Sequence, residues 1–77
     1  MKDKILTIIQ QHPGIRKREI SSDLHVWQCN SEFLRAMHDL ENAGLIYAFT
    51  YKDPANMEFF DKWYLTNEGK RAILTVD

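Results

Sequence analysis

The stretch FLRAMHDLENAGLI, Phe33 to Ile46, decides the fold. Phe33, Ala36, Met37, Leu40 and Ala43 recur at helical spacing, so one side of a helix is apolar. Gly44 follows at once, where a left-handed C-terminal cap favours a residue without a Cβ. Leu45 and Ile46 then open an alternating, aromatic-rich run. The spacing predicts an amphipathic helix that stops at glycine and turns directly into a strand.

Toward the N-terminus, Asn30 or Ser31 can cap this helix, and Glu32 suits its first turn. His25 to Asn30 reads as a turn. A second helix is predicted from Arg16 or Lys17 to Leu24, with Ile20 and Leu24 four apart on one face. The first helix is predicted from Lys2 to His12, with Ile5, Leu6, Ile8 and Ile9 as a wide apolar face and Asp3 at its positive end. Pro13-Gly14 ends it, and Ile15 returns the chain to the core as a minimal strand.

Toward the C-terminus, Leu45 to Tyr51 and Phe59 to Leu65 read as two strands. Residues 52–58 join them, with Pro54 and Asn56 marking a loop. Thr66 is a good cap for a last helix from Asn67 to about Leu74, packed through Ala72, Ile73 and Val76. The expected order is helix, short strand, helix, helix, strand, strand, helix, in one α+β domain spanning residues 1–77.

Bulk composition narrows the function. A chain of 77 residues buries only about 60% of its unfolded surface, close to the lower limit for folding alone. Ten Lys and Arg against eleven Asp and Glu give a net charge of −1, which is not the footprint of a strongly basic nucleic-acid binder. Cys29 is the single cysteine, which rules out an internal disulfide and makes a reducing, cytoplasmic location the expectation. The apolar run Ile5 to Ile9 breaks at Gln10, too short for a signal peptide or a membrane span.

The pieces His12-Pro13-Gly14-Ile15-Arg16-Lys17-Arg18-Glu19-Ile20, Leu40-Glu41-Asn42-Ala43-Gly44-Leu45-Ile46 and Trp63-Tyr64-Leu65-Thr66-Asn67-Glu68-Gly69 stand in order with a hairpin-sized gap between the last two. In this order the sequence resembles the winged helix-turn-helix superfamily, in particular small MarR-like or PadR-like DNA-binding regulators. The resemblance runs from Ile5 to Leu74. It implies a three-helix core, a two-stranded hairpin wing and a short C-terminal helix. Two features depart from the pattern: the turn before Phe33 is about two residues longer and holds Trp27, and the third helix carries Glu32, Asp39 and Glu41 against one arginine.

The resemblance implies sequence-specific binding of double-stranded DNA, with the third helix in the major groove and the wing on the backbone. A helix fits that groove, and its N-terminal residues reach the bases. The candidates are Gln28, Asn30, Ser31, Leu34, Arg35 and His38. Arg35 suits a bidentate contact with guanine, and Gln28 or Asn30 one with adenine. Arg16, Lys17, Arg18 and Lys52 suit phosphates. A single small module offers little surface for high affinity, so a homodimer or a protein partner is expected. The first and last helices are the first choice as dimer elements, and the hairpin aromatics the second.

The second function class is a protein-interaction adaptor. Tyr47, Phe49, Tyr51, Phe59, Phe60, Trp63 and Tyr64, seven of the nine aromatic residues, concentrate in the hairpin. A ribbon has two faces, and one of them covers the helices. Alternation sets Tyr47, Phe49 and Tyr51 opposite Ile46 and Ala48, and neighbours Phe59 and Phe60 opposite each other. Either twist and the last helix hide these rings, or Tyr47, Phe49, Tyr51 and Phe59 form an interaction patch.

No metal or cofactor is expected. His25, Cys29 and His38 lack the spacing of a zinc site, and a lone Cys at a helix edge reads as a small packed hydrophobe. No glycine-rich phosphate loop, nucleophile elbow or His-Glu-x-x-His run is present, so an enzyme is not expected.

Overall fold

The computed structural model describes residues 1–74. Four helices and one hairpin follow in the order α1 (Lys2–Gln11), α2 (Lys17–Asp23), α3 (Ser31–Asn42), β1 (Ile46–Lys52), β2 (Phe59–Leu65) and α4 (Asn67–Leu74). The expected packing role of Val76 lies outside the described residues.

α1 is the hub, packing against the other three helices and β2. Its Ile5 and Ile9 are fully enclosed with Ile20 of α2 and Phe33 of α3. Leu6, Ile15, Ala36, Met37, Leu40, Ile46 and Trp63 complete the core, with Leu24, Ala72 and Ile73 among the half-buried residues at its edge. Fully burying one such side chain contributes about 1.5–3 kcal/mol, so this cluster dominates the stability of the domain.

Two helix ends are closed by the same device. At the end of α3, the Gly44 N–H donates to the Glu41 carbonyl and the Leu45 N–H to the Leu40 carbonyl, with Gly44 at φ +75°. This is a Schellman motif, and it uses Leu45 as its last residue, so β1 begins at Ile46, one residue later than the alternation suggests. At the end of α2, the His25 N–H donates to Ser22 and the Val26 N–H to Ser21. Here His25 holds the left-handed position, at φ 58°.

β1 and β2 pair antiparallel without a bulge, from Ile46 opposite Leu65 to Lys52 opposite Phe59. Lys52 therefore belongs to the strand, and the loop is shorter than residues 52–58. The Asp53 N–H donates to Glu58, and the Asp53 carboxylate accepts from the Ala55 N–H, closing the tip. Ile15 forms a one-residue bridge to Trp63 on the outer side of β2, as expected for a minimal strand. The molecule is elongated, 42 by 25 by 21 Å, because the hairpin projects past the helices.

Thr66 ties α4 to this frame. Its hydroxyl donates to the Gly44 carbonyl at 2.5 Å, and its oxygen accepts from the Gly69 N–H at 3.0 Å. Among the described residues no helix is long and apolar enough to cross a membrane.

Candidate nucleic-acid interface

α3 buries Phe33, Ala36, Met37 and Leu40 and leaves the opposite side bare. The 100° step per residue puts Ser31, Arg35, His38 and Asn42 along the middle of that bare side, with Leu34 beside them. Asn42 is outward-facing by helical spacing but is not among the candidate DNA-contacting residues. Its amide nitrogen lies 2.9 Å from His38 Nε2, one helical turn away, so the two side chains form a single polar unit. Helical spacing alone brings them together, which is the signal that could have found the pair.

Asn30 occupies the N-cap of α3, where its side-chain oxygen accepts from the Phe33 N–H at 3.0 Å. This bond takes one of the two lone pairs of that oxygen. Gln28 and Cys29 are exposed in the turn before α3. Cys29 thus corrects the expectation of a packed thiol: it precedes the first turn of α3 and meets no core wall. Trp27 in the same turn is 81% exposed, the most open of the large apolar residues.

The acidic side of α3 faces α1. Asp39 pairs with Lys2 at 3.2 Å, and Glu32 and Asp39 border a groove with Asp3 and Arg35. The pair is exposed, so it adds little stability, but it offsets one of the three acids on the helix. Arg35 itself makes no ion pair among the described residues, which leaves its guanidinium available.

The cations expected on phosphate lie along α2 and the hairpin. Arg16 extends over the Phe60 ring at 3.8 Å, and Lys17 lies 5.8 Å from the Trp63 ring. Arg18 is exposed on α2. Lys52 stands on the hairpin, 5.9 Å from the Phe59 ring. Arg16 thus reaches the first residues of β2, next to Phe59 and its cross-strand partner Lys52, whereas Lys17 lies further back at Trp63.

The hairpin aromatics divide by register. Tyr47, Phe49 and Tyr51 share the outer face with their cross-strand partners Tyr64, Lys62 and Phe60. Tyr47 stacks on Tyr64 at 5.5 Å, Tyr51 meets Phe60 edge-on at 3.9 Å, and Lys62 covers Tyr51 at 4.3 Å. Phe49 remains 60% exposed and Tyr47 48%. Phe59, grouped with these rings from the sequence, stands on the other face beside Lys52. It is 70% exposed because the hairpin there has passed the end of the helices. The outer face is thus covered in part: Tyr51, Phe60 and Tyr64 are half-buried, while Tyr47 and Phe49 stay exposed.

No group of three or more His, Cys, Asp or Glu stands together among the described residues.

No protein-family model matches the sequence, and no curated protein matches it. Solved structures do. The transcriptional regulator SlyA superposes with a TM-score of 0.75 at 25% identity, covering 97% of this chain and 49% of that one. MarR gives 0.75 at 25% identity, over 97% of this chain and 51% of its own. FabT of Streptococcus pneumoniae, solved in complex with DNA, gives 0.73 at 16% identity, over 96% and 48%. The chain is a MarR-like winged helix. It spans about half the length of the regulators it matches.

Proposed function

We propose that this chain binds double-stranded DNA sequence-specifically as a small transcriptional regulator in the cytoplasm. α3 lies in the major groove, and the hairpin touches the flanking backbone. The observation that carries the reading is the bare side of α3, where Arg35, in no ion pair among the described residues, stands in line with Ser31, His38 and Asn42. The fold it sits on is shared with the transcriptional regulator SlyA and with FabT, which was solved in complex with DNA. Arg35 reads guanine through its fork, and the His38–Asn42 unit supplies further donors and acceptors. Arg16, Lys17, Arg18 and Lys52 position the domain on phosphates. Gln28, Asn30, Ser31 and Leu34 line the leading end of the helix. The protein acts by binding, not by catalysis, and works as a homodimer because one module of this size has little contact area.

The test is selection of bound sequences from a pool of random duplexes, followed by titration of the winner and a scrambled duplex across salt concentrations. The reading expects one enriched motif and an affinity ratio of about a thousandfold or more over the scrambled duplex. No enrichment, with equal and weak binding to both, rejects it.

A second reading, a winged helix that serves as a protein-interaction adaptor, is favoured by the exposure of Tyr47, Phe49 and Phe59. Loss of partner capture in Phe49→Ser or Tyr51→Ser with the fold intact supports it; unchanged capture rejects the patch.

A further inference from the structure

β1 is a free sheet edge. The Asp53 N–H donates to Glu58 and the Thr66 N–H to Leu45, so the odd-numbered residues of β1 exchange hydrogen bonds with β2. By alternation, the N–H and C=O groups of Ala48, Thr50 and Lys52 point away from β2. Among the described residues no backbone bond outside the hairpin engages them. Edge strands in monomeric proteins are blunted by a proline, a bulge, an inward charge or a covering element. β1 has neither proline nor bulge, and its one charge, Lys52, stands at its very end and leaves residues 46–51 unguarded.

We propose that β1 pairs antiparallel with β1 of a second copy, across a two-fold axis at Phe49, joining the two hairpins into one four-stranded sheet. This register is self-complementary. Ala48 meets Thr50 of the second copy and Thr50 meets its Ala48, each pair exchanging two backbone hydrogen bonds from groups that point outward in both chains. Lys52 falls opposite Ile46 of the second copy, so no like charges oppose each other along the strand. The two Lys62 residues stand three strand spacings apart, about 14 Å, beyond the screening length of about 8–10 Å at ordinary ionic strength.

On the outer face, Phe49 meets Phe49 of the second copy at a non-hydrogen-bonded position, where side chains come closest. Tyr47 meets Tyr51 on either side of it. The rings left open on the single chain thus close into a continuous aromatic surface, and such pairs contribute about 0.5–1.5 kcal/mol each beyond burial. The outer side of β2 is occupied at Trp63 by Ile15, which makes β1 the longer open edge. The proposal does not depend on DNA binding, and it differs from assembly through α1 and α4.

Sedimentation velocity of the full chain over a concentration series tests it, together with Phe49→Glu, Phe49→Lys and their equimolar mixture. The wild type sediments as a dimer. Each variant alone raises the dissociation constant about tenfold or more, because it loses the ring pair and places like charges face to face. The mixture restores the dimer. In a Cys29→Ser background, Phe49→Cys oxidises to a disulfide-linked dimer, since the Cα separation of about 4.5 Å lies within disulfide range. Tyr47→Cys alone stays unlinked, and links only when mixed with Tyr51→Cys. Cross-linking reads the register even if the charged variants fail to fold. A wild type that stays monomeric at millimolar concentration overturns the proposal and leaves the edge to an extended segment of another protein. A dimer indifferent to both Phe49 charges also overturns it, and assigns assembly to the helices.

Discussion

Gly69 lies against the Leu45 carbonyl oxygen so closely that a Cβ on it would overlap that atom. The contact joins the first turn of α4 to the chain just before β1, where the Leu45 carbonyl also accepts from the Thr66 N–H. A backbone oxygen held in this way cannot swing aside as a side chain would.

Gly69→Ala should therefore destabilise the domain by about 1–3 kcal/mol, although alanine is the better helix former. Urea denaturation followed by circular dichroism measures it. A midpoint equal to that of the wild type would show that α4 can shift without cost.

His25 holds the left-handed position of the α2 cap with a side chain that disfavours it. His25→Gly should stabilise the protein by about 0.5–1 kcal/mol, because the native backbone no longer carries the left-handed penalty. The gain is offset in part by the extra freedom of glycine in the unfolded chain. A lowered melting temperature would refute the strain argument and give the imidazole a role of its own.

Asn30 separates capping from base reading. Asn30→Ala should cost about 1 kcal/mol of stability through loss of the bond to the Phe33 N–H. Asn30→Asp keeps an oxygen at the cap and should fold as the wild type does. Equal loss in both variants would mean that the amide nitrogen, not the oxygen, matters.

Arg35 and Lys17 should fail differently on DNA. Arg35→Ala is expected to weaken the selected site by about 1–3 kcal/mol and to relax preference at one position. Lys17→Ala should weaken every duplex alike and lower the salt slope by about one. Isothermal or anisotropy titrations on selected and scrambled duplexes distinguish the two. Equal loss on both duplexes for Arg35→Ala removes its role as a base reader.

Much of the fold was legible because its signals are local. The apolar spacing of α3, the glycine that ends it, the Thr66 cap and the period-two runs of the hairpin act within a few residues. The elements they predict match those observed to within one or two residues at each end. The site was legible only in part. Helical spacing places Arg35, His38 and Asn42 outward, but Asn42 lies near the end of α3, away from the leading turn that reaches bases, and its bond to His38 is visible only in the structure.

What the sequence determined by itself was the order of helices and strands, the stops between them and the division of the ribbon into two alternating faces, since each follows from neighbours along the chain. Tertiary structure alone decided that Phe59 parts from Tyr47 and Phe49, that Arg16 lies over Phe60, that Cys29 meets no core wall and that Gly69 admits no side chain. These depend on how far the hairpin projects past the helices and on how closely two distant backbones approach. Such distances are set by packing between segments, and no periodicity within one segment encodes them.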